Sequence, residues 1–204
     1  MTINHEKKLI FIHIPKNAGS SIINEMGREN MLIDKTVEEY KEIYNKYWHD
    51  YIKFTVIRDP IDRFISAYKF ARMHKNVYFS PEDKHHHHEI CNSMDINEYV
   101  EFLFSNNLEI DRWTKPQSVI LSNKKGNFEI DYFVKYENLY EDLKKIGINN
   151  LNKINVSTIE NNNLISLTRK SKILLSHLYY YDYKNFHYLN EHLFFLNLRT
   201  DFHI

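Results

Sequence analysis

The run KLIFIHI at residues 8 to 14 stops at Pro15, and Ile22, Ile23 and Met26 then recur at helical spacing. A short, β-rich apolar run closed by a proline reads as a strand, and the periodic stretch over 20 to 29 reads as a helix. The chain therefore opens as strand, loop and helix. The loop carries Lys16, Asn17, Ala18 and Gly19, and Ser20 and Ser21 follow at the start of the helix. Such a turn aims free backbone N–H groups and the positive end of a helix dipole at one spot beside a lysine, so an anion is the expected occupant. The lysine precedes the glycine and the loop is shorter than G-x-x-x-x-G-K-[ST], which argues against an ordinary ATP or GTP hydrolase. The competing reading is a plain turn, with Ser20 as a simple N-cap and Lys16 as a solvated charge.

A second strand-to-helix unit follows. Residues 53 to 58 (KFTVIR) have the Phe, Val and Ile content of a buried parallel strand. Asp59 suits the N-cap and Pro60 the first helical position, while Ile61, Phe64, Ile65 and Tyr68 fill one face. Arg58 thus falls at the carboxyl end of the strand, where open α/β sheets bind ligands. Arg63 and Ser66, three residues apart, share a helix face, and with Arg58 they form a candidate clamp for a second phosphate. The alternative pairs Arg58 with a carboxylate such as Asp62 and leaves Ser66 exposed. Two phosphate sites suggest a nucleotide with phosphates at both ends of its ribose, a description that fits 3′-phosphoadenosine-5′-phosphosulfate (PAPS) and coenzyme A but not ATP.

The remaining pattern adds helices at 36 to 47, from Asp95 to Ser105 and from Leu139 to Ile146, the last closed by Gly147. It also adds a strand at 131 to 136 and a helical stretch over 168 to 198 with Ile173, Leu174, Leu178 and Tyr181 on one face. Residues 74 to 94 and 151 to 163 read as loops. Strands alternating with helices predict a three-layer α/β domain around a mostly parallel central sheet, and 204 residues fit a single domain over 1 to 204.

Lys plus Arg and Asp plus Glu both total 27, so no global field draws in nucleic acid or a heavily sulfated polymer. Cys91 is the single cysteine, which suits a reducing compartment. The apolar run Leu9 to Ile14 is too short for a signal core or a membrane span. The expectation is a soluble cytoplasmic protein without a transmembrane segment.

FIHIPKNAGSSI and VIRDPIDRFISAY together resemble the PAPS-dependent carbohydrate sulfotransferases, the family that includes chondroitin and heparan 2-O enzymes and bacterial relatives. The first is similar to the family's 5′-phosphosulfate loop, IPK-x-AG-[ST]-[ST], and the second to its 3′-phosphate motif, R-[DN]-P-x-x-R-x-x-S-x-Y. YFVKYENLYEDL and the spacing of Tyr179, Asp182, Phe186 and Tyr188 continue the likeness in the family's order, from residue 8 to 188. The resemblance implies a P-loop NTPase-like fold and in-line transfer of a sulfuryl group from PAPS to a hydroxyl or amine, the acceptor being a carbohydrate or another small hydroxylated molecule. It implies PAP as product and no required metal. Lys16 would sit near the bridging oxygen of the phosphosulfate, residues 17 to 21 on the 5′-phosphate, and Arg58 with Ser66 on the 3′-phosphate.

The acceptor also needs a general base. Aligning DKTVEE with the relatives' H-x-T-x-x-E places Asp34 where they carry histidine, which makes Asp34 the first candidate base, with Glu38 and His49 behind it. In DRWTKPQ, Arg112 stands where relatives have a second histidine. Four adjacent histidines, His85 to His88, read as a compositional tract before a metal site. Two alternatives stay open: a catalytically inactive PAPS- or PAP-binding module, and a P-loop nucleotide kinase.

Overall fold

A computed structural model describes residues 2–27, 35–72, 89–105, 113–151 and 165–188. The chain packs into two compact units, each made of two segments: Met1–Asp59 with Gln117–Val156, and Pro60–Pro116 with Ser157–Ile204.

The first unit is built on a four-stranded sheet in the order β1 (Ile3–Asn4), β2 (Leu9–Ile12), β3 (Ile52–Ile57) and β4 (Tyr132–Lys135). β1 pairs antiparallel with β2, and the β2–β3 and β3–β4 pairs are parallel. Phe11 lies opposite Phe54 and Val56 opposite Val134, and every residue of β2 is buried, the pattern of a strand covered on both faces. Helices α1 (Gly19–Glu25), α2 (Val37–Ile43), α5 (Gln117–Leu121) and α6 (Leu139–Lys145) flank the sheet. Ile22 and Ile23 from the first of these and its C-cap Met26, with Leu139 and Leu143 from the last, close a core over Leu9, Phe11, Phe54, Val56 and Val134. Thr36 and Glu39 form a reciprocal capping box at the start of α2, and the Thr36 backbone N–H, then the Lys35 ammonium, holds the Glu39 carboxyl below its usual range. Gly147 stops α6 in the left-handed region at φ 79, and the Ile148 N–H reaches back to the Leu143 carbonyl.

The second unit is helical: α3 (Pro60–Ala71), α4 (Ile96–Ser105), α7 (Arg169–Leu178) and α8 (Tyr180–Phe186). Phe64, Tyr68, Tyr99, Leu175, Tyr179 and Tyr183 lead its core, with Ile61 and Ile65 half-buried against it. The helix starts at Pro60, which leaves Asp59 at the N-cap position.

The expected mixed α/β class with a mostly parallel, helix-flanked sheet is what the structure has. Two details differ from the sequence pattern. The strand Ile3–Asn4 and the helix Gln117–Leu121 are too short to give a periodic signal. On α7 and α8 the fully buried positions are Ser171, Leu175, Ser176, Asp182, Tyr183 and Phe186; Leu174 and Leu178 pack half-buried against the same core as expected, and Tyr181 is 63% exposed. The Ser176 hydroxyl bonds back to the Lys172 carbonyl, so a polar side chain lies buried on a helix at little cost. The chain also caps at Tyr179, which shifts the buried face. No described helix is long and apolar enough to cross a membrane.

Candidate active site

β2 and β3 are parallel, so the loop after Ile12 and the residue after Ile57 leave the sheet at the same carboxyl edge. That register brings Lys16 and Arg58 together: the Arg58 Nη1 donates to the Lys16 carbonyl at 3.2 Å. The loop is tightly wound. Lys16 (φ 73) and Ala18 (φ 61) both occupy the left-handed region, which costs a residue with a Cβ on the order of 1 kcal/mol or more. Alternation of this kind turns successive N–H groups inward and forms an anion-binding concavity.

α1 begins at Gly19 with Ala18 as its N-cap, and no side chain caps it. The plain-turn reading, with Ser20 as the cap, is therefore not what the chain adopts; Ser20 is exposed within the first turn. Gly19 is required by proximity: a Cβ there would run into Cδ2 and Nε2 of the His13 imidazole. His13 is thus a packing partner of the loop.

Within the first unit Arg58 forms no ion pair with a described residue. Its guanidinium stacks on the Tyr136 ring at 4.2 Å, and its Nε is buried without a hydrogen-bond partner. A buried cationic donor left in this state is suited to an incoming anion. The neighbouring Asp59 N–H donates to the Glu137 carboxylate at 3.0 Å. Tyr136 and Glu137 belong to the YFVKYENL block, in which the sequence reading named no site residue; the block's short strand and turn deliver both residues to the same edge.

Asn17 is fully buried and holds the loop from below. Its Nδ2 donates to the Val56 carbonyl and to Gln117 Oε1, both at 2.7 Å. Gln117 was another residue the sequence reading missed, its only sign being the proline and amide at the end of DRWTKPQ.

The remaining candidates lie elsewhere. The Glu38 carboxylate accepts the Lys124 N–H at 3.0 Å, in the turn that precedes β4. His49 is exposed before the amino end of β3, and from Lys53 to Arg58 the strand spans roughly 17 Å. The structure therefore does not bring His49 to the loop. A cleft of about 250 Å³, lined by Trp48, His49, Lys53 and Phe128 to Asp131, opens at that amino edge, away from Lys16 and Arg58. In the second unit, Ser66 is half-buried on α3 and Arg63 is 1% exposed, with its Nη1 donating to the Lys115 carbonyl at 2.8 Å. Asp34, Arg112 and His85 to His88 lie outside the described residues. Among the described residues, no group of three or more His, Cys, Asp or Glu side chains is arranged to hold a metal ion.

A strained loop, an uncapped helix start and an arginine with no ion-pair partner among the described residues of its unit form a candidate anion site on a P-loop-like sheet. A family model described as the sulfotransferase family matches residues 1–189. The chain belongs to the sulfotransferase family. Searches of curated proteins and of solved structures give no match. Membership assigns an enzyme that transfers a sulfuryl group, and the matched span includes the loop, Arg58, the YENL turn and the helices of the second unit.

Proposed function

We propose that this sulfotransferase uses PAPS as donor and passes the sulfuryl group to a hydroxyl or amine of a carbohydrate or similar small acceptor. The observation that carries the reading is Arg58: a half-buried guanidinium with no carboxylate among the described residues of its unit and an unsatisfied Nε, hydrogen-bonded to the carbonyl of Lys16. Two cationic residues at one sheet edge suit a donor with separate phosphate groups. Lys16 and the backbone of Asn17 to Ser21 take the 5′-phosphosulfate, and Arg58 takes the 3′-phosphate. Ser66 enters on the sequence motif alone, and Arg63, buried on the Lys115 carbonyl, is assigned to holding that segment in place.

In the reaction the acceptor oxygen or nitrogen bonds to sulfur while the S–O bond to the 5′-phosphate breaks. Negative charge collects on the departing phosphate, where Lys16 and the loop N–H groups stabilise it. The acceptor proton passes to a base, and Asp34 is the residue we assign to that role. Glu38 is engaged by the Lys124 N–H and His49 lies at the other edge of the sheet.

Thermal shift tests the donor. Adenosine-3′,5′-bisphosphate should stabilise the protein, and ATP with magnesium should do so far less; the reverse order would favour a kinase. Transfer from labelled PAPS across a glycan panel then separates an enzyme from a binding module. Asp34→Asn should lower turnover about 10²- to 10⁴-fold with bisphosphate affinity retained. Unchanged turnover would remove Asp34 from the mechanism.

A further inference from the structure

Gln117, the first residue of α5, is fully buried and makes three hydrogen bonds to the loop and strand just described. Its Oε1 accepts the Arg58 backbone N–H at 3.0 Å, and its Nε2 donates to the Arg58 carbonyl at 2.8 Å. Arg58 stands one residue past the end of β3, so this side-chain amide pairs with its backbone much as a neighbouring strand would. The same Oε1 accepts Nδ2 of Asn17, which also donates to the Val56 carbonyl two residues before Arg58.

The order of donors and acceptors around the two amides admits one arrangement. Asn17 faces two acceptors, so its NH₂ must point to them; flipping it would set oxygen against oxygen twice. With Asn17 fixed as donor, Gln117 must present its oxygen to Asn17 and to the Arg58 N–H, which leaves its NH₂ for the Arg58 carbonyl. This orientation leaves Asn17 Oδ1 buried without a partner. The Arg58 guanidinium closes the ring through the Lys16 carbonyl. Residues 16, 17, 117 and 58 therefore form one closed circuit, and Gln117 is the member that touches neither phosphate in the donor reading.

We propose that Gln117 is a positioning residue for donor binding: its side-chain amide sets the register between the phosphate loop and Arg58, so that both phosphates of one donor are met together. The inference rests on the PAPS reading. It also accounts for the persistence of left-handed backbone at Lys16 and Ala18, because Asn17 between them is held from two sides.

The experiment is calorimetric titration with adenosine-3′,5′-bisphosphate, on wild type, Gln117→Met, Gln117→Glu, Arg58→Ala and the Gln117→Met/Arg58→Ala double variant, each with a thermal melt to define the folded fraction. Gln117→Met keeps the volume and removes all three bonds, and the expected loss of affinity of the folded protein is about tenfold or more. Gln117→Glu keeps the acceptor but opposes the Arg58 carbonyl, and should fall between wild type and Gln117→Met; it carries the test if Gln117→Met does not fold. In the Arg58→Ala background, Gln117→Met should cost clearly less affinity than in wild type, because part of its action runs through Arg58. A purely structural glutamine would lower the melting temperature, leave Kd of the folded fraction within about twofold, and add its effect to that of Arg58→Ala; that pattern overturns the inference alone. A wild type that binds no bisphosphate overturns the donor reading and this inference with it.

Discussion

At the amino edge of the sheet Glu129 receives hydrogen bonds from Lys41 at 2.7 Å, Trp48 Nε1 at 3.1 Å and Asn123 at 2.9 Å, and Lys53 pairs with Asp131 at 2.7 Å. At the carboxyl edge Arg58 meets no carboxylate among the described residues of its unit, keeps a buried Nε without a partner and stacks on Tyr136. One edge satisfies its charges within the protein, and the other keeps a cation available at a loop wound through two left-handed residues. A fold optimised for stability alone would treat both edges like the first, because an orphaned buried donor costs about 1–3 kcal/mol. The difference supports the proposed placement of the site at the carboxyl edge, and it does so independently of motif resemblance.

The most severe way to break this contrast is at Lys16. Lys16→Ala removes the charge that the proposed mechanism sets against the leaving phosphate, and turnover of labelled PAPS should drop about 10²- to 10³-fold, with a smaller loss of bisphosphate affinity. Transfer that survives the change undiminished would contradict the mechanism. Arg58→Met comes next: Kd for the bisphosphate should rise about 10- to 100-fold, by the size of a charge-assisted hydrogen bond. Stability measured by urea unfolding should move by less than about 1 kcal/mol, because the lost bond to Lys16 and the lost stacking are offset by removal of an unsatisfied donor. A loss of several kcal/mol would place Arg58 among the structural charges instead.

Much of the carboxyl edge was legible in the sequence because its signals are local. Pro15 and Gly19 mark a strand-to-helix turn within five residues, and Arg58 directly ends an apolar run before Asp59 and Pro60. The reason for Gly19 was not legible: it is glycine because the His13 ring occupies the space of its Cβ, a contact made only once the loop has closed. Gln117 and Tyr136 escaped notice because they lie 59 and 78 positions from Arg58, and nothing in their own neighbourhoods announces the partner. The face of α7 is legible only in part, for a related reason: Leu174 and Leu178 pack on the core, but the fully buried positions do not follow from periodicity. Buried serines such as Ser171 and Ser176 satisfy their hydroxyls locally, so hydrophobic periodicity passes over them.

The smallest expected effect lies at the amino edge and checks the other half of the contrast. The Lys41 ammonium, then the Asn123 amide and the Trp48 indole, hold the Glu129 carboxyl down to about 2 from an ordinary 4.5. A carboxyl depressed in the folded state stabilises it fully above about 4.5, and that contribution is lost as the pH falls through about 2. Glu129→Gln should therefore lower stability near neutral pH by about 1 kcal/mol, a modest figure because the Lys41 and Glu129 side chains are 41% and 28% exposed and water screens the pair. The gap in melting temperature between wild type and variant should narrow from pH 6 to pH 3, since the unfolded carboxylate takes up its proton across that range while the folded one does not. Bisphosphate affinity should stay at the wild-type value throughout. A gap that stays constant with pH would show that Glu129 contributes by packing rather than by charge, and an affinity that fell with the stability would show that the two edges are coupled through β3.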